Sequence, residues 1–268
     1  MLPTGRQPVK CTLSPHQTPL SALLTYAILG VATVVTSFIS GILGMAGGLI
    51  LMGVLLAFMP VPAAMMLHGV TQMAANGWRA WLWRRDVNWR VFRGTSYGAM
   101  LVLVLFSFVQ LSVTKPIAYL LLGATPFVNL LLPKDSKLNV DSRGHSFACG
   151  LVCTAISLLA GVSGPLLDLF YIHSHMDRKG VVATKAITQS FGHVLKIIYF
   201  SVLLTTARGQ IEWWLAIAAI VLAITGTTLS RKVLDRMSDA SFRKWTRGTV
   251  MVAGGFYLVS GVWLLLAK

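Results

Sequence analysis

The length of its uninterrupted apolar runs constrains this chain most. Ser21–Leu43, Gly94–Val113, Ile211–Leu229 and Gly248–Ala267 each approach the roughly 20 residues a helix needs to cross about 30 Å of hydrocarbon. Backbone polar groups in lipid must be satisfied within the segment, so such runs form helices rather than open strands. The alternating pattern of a membrane barrel is absent. Composition agrees: 55% of residues are hydrophobic and 12% charged, about half the charge of an ordinary soluble domain. The sequence therefore specifies an all-α, polytopic integral membrane protein.

A net charge of +15 raises the question of nucleic acid, but its placement answers it. Arg79, Arg84, Arg85, Arg90 and Arg93 form one cluster, offset by Asp86; Arg231, Lys232, Arg236, Arg243, Lys244 and Arg247 form another, with Asp235 and Asp239. Both fall between apolar blocks, as the positive-inside rule expects. The partner they imply is the anionic lipid of the bilayer, with no nucleic acid. Three cysteines, Cys11, Cys149 and Cys153, contain no CxxC pair, so neither a zinc knuckle nor a dithiol motif is indicated. Residues 1–19 are expected to be a disordered tail. The apolar block after them is too long for a cleaved signal and lacks a small-residue cleavage site.

Ten apolar segments can be counted, near 21–43, 46–59, 63–82, 94–113, 116–132, 144–163, 165–172, 180–206, 211–230 and 248–267. Segments 46–59 and 165–172 are short, and each follows a glycine-broken junction. A polar stretch around 134–143 separates a first half, 20–133, from a second, 144–268. Shifting the chain by 117 residues without gaps places Val35 on Val152, Ile39 on Ile156, Ser40 on Ser157, Gly44 on Gly161 and Gly47 on Gly164. Leu49 then falls on Leu166, Met59 on Met176, Thr71 on Thr188 and Gln72 on Gln189. Apolar identities arise easily by chance; the glycines and the Thr-Gln pairs carry the comparison. Two homologous repeats of five segments each would be inverted across the membrane, since five is odd. Eight to ten membrane segments, some broken or re-entrant, fit the loop charges.

The first junction reads Ser-Gly-Ile-Leu-Gly-Met-Ala-Gly-Gly from Ser40 to Gly48, and its counterpart is Ala160-Gly-Val-Ser-Gly-Pro165. Glycine costs a helix interior roughly 1 kcal/mol relative to alanine. Clustered glycines at membrane depth therefore point to a break. The half-helix after a break presents free N–H groups, which with the helix dipole make an anion site that needs no lysine. The plainer account is close helix packing through small residues; recurrence in register favours the site. Gly44, Gly47, Gly48, Gly161 and Gly164 are thus candidate substrate-binding positions. Thr71, Gln72, Asn76, Thr188, Gln189 and His193 join them, as neutral donors within apolar segments that can hold an oxyanion and release it. Equally, such groups can serve as hydrogen bonds between helices.

The second half also carries intramembrane charge, which is costly and usually paired or functional. Asp168 could pair with Lys185 or Lys196, and Asp168 or His193 could couple a proton to transport. Asp168 and Lys185 are the candidate coupling residues. Lys196 aligns with Arg79 and could snorkel to an interface. His173, His175 and Asp177 sit beside Arg178 and Lys179, where a solvated turn is a simpler reading than a metal site. No HExxH, nucleophile elbow or P-loop occurs, so no catalytic residue, metal or other cofactor is expected.

At Gly41, Gly44, Gly47 and Gly48, with Ala46 where a further glycine is common, the sequence resembles the sulfite exporter TauE/SafE family. That family is also called the toluene sulfonate uptake permeases. Gly161, Gly164 and Pro165 form a looser second copy, and the resemblance spans roughly residues 21–267. It implies a multi-pass permease of the bacterial inner membrane that moves sulfite, sulfonates or related organic anions. Alternating access around a central site would then carry a small anionic solute, with a coupling proton or ion as a further partner. The alternatives are a membrane-embedded metal-dependent enzyme using His173, His175 and His193, or a membrane scaffold that transports nothing.

Overall fold

The computed structural model of the chain describes residues 19–128, 138–204, 211–234 and 239–267. The expected tail, residues 134–137 of the central loop, and the side chains of Arg231, Lys232, Arg236, Arg243 and Lys244 lie outside the described residues. Ten α-helices occur among the described residues, and no strand. They are α1 (Pro19–Leu43), α2 (Met45–Phe58), α3 (Val61–Leu82), α4 (Trp89–Val109), α5 (Lys115–Ala124), α6 (Arg143–Ala160), α7 (Gly164–Tyr171), α8 (Arg178–Ile198), α9 (Trp213–Leu234) and α10 (Asp239–Leu266). Each apolar segment of the sequence corresponds to one helix.

Among the described residues, six helices are long and apolar enough to cross a membrane: α1, α4, α6, α9, α10, and α8 with the π-helical turn Tyr199–Leu203 that follows it. The others differ for readable reasons. Helix α3 has 22 residues but spends several of them on His68, Gln72, Asn76 and Arg79. Helices α2, α5 and α7, of 14, 10 and 8 residues, fall short of the roughly 20 a perpendicular span requires. Helix α4 begins earlier than its apolar run because Asn88 caps it, its side chain accepting from the amides of Arg90 and Val91. Leu23, Val31, Val104, Phe108, Val221 and Val259 project from α1, α4, α9 and α10 with half or more of their surface exposed or nearly so. In a bilayer that surface meets lipid.

Lipid tails are as apolar as leucine, so helices in a membrane associate through close packing rather than hydrophobic exclusion. The principal contacts use this device. Helix α1 packs on α9, where a Cβ on Gly41 would overlap Ser230 and one on Gly226 would overlap the α1 backbone at Val34 and Phe38. Helix α4 packs on α6, with Gly98 against the backbone of Phe147 and Leu151 and Gly150 against that of Thr95. Helix α5 packs on α10 through Gly123 and Gly254, and α3 packs on α8.

Under the 117-residue shift of the sequence, α6 falls on α1, and in chain order α10 then answers to α5. Exchanging the halves then turns the α1–α9 contact into the α6–α4 contact and leaves α3–α8 and α5–α10 as they are. Helices α3 and α8 run in opposite senses: His68 meets Lys196, Met73 meets Ser190, and Asn88, just beyond α3, meets Thr184. Ser190 Oγ donates to Met73 O over 3.2 Å, a contact between positions 117 residues apart.

Candidate functional site

Two helices begin in the middle of the protein. Helix α1 stops at Leu43, Gly44 turns the chain at φ +69°, and α2 starts at once. Helix α6 stops at Ala160, Gly161 turns at φ +85°, and α7 starts at Gly164. Among the described residues these are the two glycines of positive φ, and they are the pair that the 117-residue shift superposes. Neither α2 nor α7 has a side-chain cap, since Gly44 has no side chain and the Ser163 hydroxyl makes no capping bond. The first-turn N–H groups of both helices therefore keep their positive ends free. The two starts touch, for a Cβ on Gly164 would fall on that of Met45.

Both starts open on one cavity. Gly44, Met45 and Gly48 line it from the first junction, and Val162, Ser163, Gly164 and Leu167 from the second. Helix α3 contributes His68, Gln72 and Asn76; α8 contributes Thr188, Gln189, Phe191, Gly192 and His193; α4 and α6 add hydroxyls, including Thr95, Ser96, Thr154 and Ser157. No Asp, Glu, Lys or Arg is among the lining residues. Gln72 Nε2, Ser96 Oγ and His193 Nδ1 are buried there without a hydrogen-bond partner in the protein. Gln72 is 4% exposed and His193 8%, and an unpaired buried donor of this kind costs roughly 1–3 kcal/mol. Donors on half-helix ends and neutral side chains, with no fixed charge on the wall, suit an oxyanion that must leave again.

Of the residues singled out from sequence, Gly44, Gly48, Gln72, Asn76, Gly164, Thr188, Gln189 and His193 meet at this cavity. Three do not line it. Gly47 packs against α1, where a Cβ would overlap Thr36 O and the backbone of Ser40. Thr71 turns back to donate to Leu67 O at 2.8 Å. Gly161 turns the chain, and its carbonyl accepts from Lys196. Asp168 and Lys185 form an ion pair between α7 and α8, about one-third and one-quarter exposed, outside the lining residues. His175 reaches Asp141 across 3.1 Å, and Asp177 caps α8 by accepting from Gly180 N.

Lys196 does not snorkel. It is fully buried, donating from Nζ to Gly161 O at 3.0 Å and meeting His68 Nδ1 at 2.8 Å. Arg79, its counterpart under the shift, donates to Ser40 O at 2.8 Å. Each cation thus satisfies a carbonyl at the end of the helix that breaks in its own half, where the dipole is negative. His68 was not anticipated. Its signal lay in a polar row at helical spacing, His68, Gln72, Asn76 and Arg79, answered by Lys185, Gln189, His193 and Lys196. Steps of four, four and three place each row on one face of its helix.

A polytopic helical membrane protein with a polar cavity between broken helices is the class these features define. The chain matches the sulfite exporter TauE/SafE family over residues 28–257, and it belongs to that family of membrane transporters. Comparison with curated proteins and with solved structures gave no match.

Proposed function

We propose that this protein is a secondary transporter of a small anion, sulfite or an organosulfonate, with the cavity between α2 and α7 as its substrate site. The observation that carries the reading is the convergence of two uncapped half-helix starts on one polar, uncharged cavity. Gly44, Gly48 and Gly164 let the backbone approach the solute. Gln72, Asn76, Thr188, Gln189 and His193 supply donors, and Gly47, Thr71 and Gly161 hold the frame behind them. The family description and the donors lining the cavity together favour an oxyanion over a cation.

The exchange of helix contacts, and the bond between Met73 and Ser190, support two inverted repeats, 20–133 and 144–268. A residue reaches its own counterpart only near an axis relating the halves. Rocking of one repeat against the other would expose the cavity to each side in turn. The proposed setting is the bacterial inner membrane, with the basic loops on the cytoplasmic face. Flux of sulfite, methanesulfonate and a carboxylate such as acetate into proteoliposomes of the purified chain tests the reading. Saturable movement of a sulfur oxyanion is expected; vesicles that behave as protein-free ones toward all three would sink it.

A further inference from the structure

We propose that Lys196 and His68 form a proton-binding site that loads one proton for each anion the cavity takes up. The inference rests on the transporter reading above. It begins with a geometric constraint on His68. Its Nε2 lies 2.9 Å from Gly48 O, and a carbonyl only accepts, so Nε2 carries the hydrogen. Nδ1 of the neutral ring is then an acceptor, 2.8 Å from Lys196 Nζ. Nζ and Nδ1 can share a single excess proton. It resides as ammonium facing imidazole or as amine facing imidazolium, and two like charges at this distance exclude a second.

Among the described residues, the surroundings hold nothing that balances that charge. Lys196 is 0% and His68 1% exposed. The remaining contact of Lys196 is a backbone carbonyl, Gly161 O. His193 lies beside the pair, its ring 5.5 Å from that of His68, with Nδ1 unpartnered. Helix α4 presents hydroxyls, Thr95 and Ser96, to the cavity, while Arg90, Arg93 and Tyr97 lie exposed. Helix α6 brings Cys153, and helix α2 has no ionisable side chain. The ionisable residue of α1 is Tyr26, and that of the π-turn is Tyr199, whose hydroxyl donates to Leu111 O. On α7, the Asp168 carboxylate is held by Lys185. Among the described residues, then, no carboxylate faces the Lys196–His68 pair.

An unbalanced charge at membrane depth is costly, and an anion in the cavity supplies the missing counter-charge. His68 is itself part of the cavity wall, and Gly161 adjoins the junction that forms the opposite wall. Occupancy by the anion and by the proton therefore favour each other, and the coupling is reciprocal. On one side of the membrane the pair takes up a proton as the anion enters; on the other both leave, and a monoanion moves with no net charge. The first half carries Arg79 at the position of Lys196. An arginine keeps its proton, so the two halves differ at this point in the one property a proton carrier needs.

The test uses the full chain in proteoliposomes with methanesulfonate, which stays a monoanion, so any proton carried belongs to the protein. Sulfite serves as a second probe. One proton per monoanion predicts about tenfold accumulation across a one-unit pH gradient. Lys196→Met and His68→Gln should lose gradient-driven accumulation, and an unchanged elution volume on size-exclusion chromatography shows that they fold. Lys196→Arg should bind and exchange anion yet fail to accumulate it, although it restores the charge and the contact to Gly161 O; a purely structural lysine would be rescued. Titration calorimetry in two buffers of different ionisation enthalpy gives a second readout, about one proton taken up per anion in the wild type and none in Lys196→Arg. Wild-type flux indifferent to the pH gradient, or full accumulation by Lys196→Arg, overturns the proposal and leaves the transporter intact. Absence of both flux and binding for the two anions overturns the transporter reading, and this inference with it.

Discussion

Replacing Gly44 by alanine isolates the backbone's contribution to the first helix break. At φ +69° and ψ −113° the residue occupies a conformation that L side chains rarely adopt, at a cost of about 1–3 kcal/mol. A Cβ there would meet nothing within 4 Å, so no steric term confuses the result. At roughly 2–4 °C per kcal/mol for a chain of this size, Gly44→Ala should lower the melting temperature in detergent by about 5 °C. Gly248 is the internal control, because it is exposed within α10 and also has nothing within 4 Å of an added Cβ. Gly248→Ala should raise the melting temperature by about 2–4 °C, the gain of an alanine over a helical glycine. Tryptophan fluorescence during a thermal ramp reads both. Relief of the strain in Gly44→Ala would also swing the α2 start away from the cavity, so sulfite should protect the variant less than the wild type. A Gly44→Ala protein that gains stability as Gly248→Ala does would refute the break, and with it the positioned N-terminus.

Other perturbations separate site from scaffold. Gln72→Leu removes an unpartnered buried amide nitrogen, so stability should hold or rise by up to about 1 kcal/mol while sulfite affinity falls about tenfold; equal loss of both would mark Gln72 as packing. Gly98→Leu, against the α6 backbone, should abolish monodisperse protein on size-exclusion chromatography. The Asp168–Lys185 pair is partly open to solvent, where such pairs contribute about 0–1 kcal/mol. Asp168→Asn should keep flux within about threefold, and loss of gradient-driven uptake would place coupling at that carboxylate. Burial pushes the Asp141 carboxyl up, but hydrogen bonds from the amide and ring of His175 and from Ser174 outweigh it and hold it below the ordinary range. A depressed carboxylate stabilises its loop above the unfolded value near pH 4 and loses that as pH falls through its folded value. Hydrogen exchange at the His175 amide should therefore accelerate only in acid, and equal protection at pH 7 and pH 3 would refute it.

The helices were legible because membrane depth leaves the chain few options: each apolar run became a helix, and the glycine pairs marked both breaks. What the sequence did not disclose was depth within the bundle. Gly47 and Gly48 are neighbours in one motif, yet one faces α1 and the other faces the cavity beside Gln72; a helix turns about 100° between them. Lys196 read as a residue able to reach an interface because a flexible side chain usually can. Only the crossing of α3 over α8 shows that His68 and the end of α6 surround it. Thr71 and Gln72 likewise divide, the hydroxyl bonding its own helix and the amide turning inward.

The helix partnerships bear on how the protein is made. Helix α1 finds its glycine-matched partner in α9, and α4 in α6. Neither half holds its own principal contacts, so neither is a self-contained folding unit. As the chain leaves the ribosome, the first five helices enter the membrane with their close-packing faces unclaimed, and α1 waits until nearly all of the chain has been synthesised. Assembly should therefore be late and cooperative. The two halves, produced as separate chains in one cell, should recover a working protein only together.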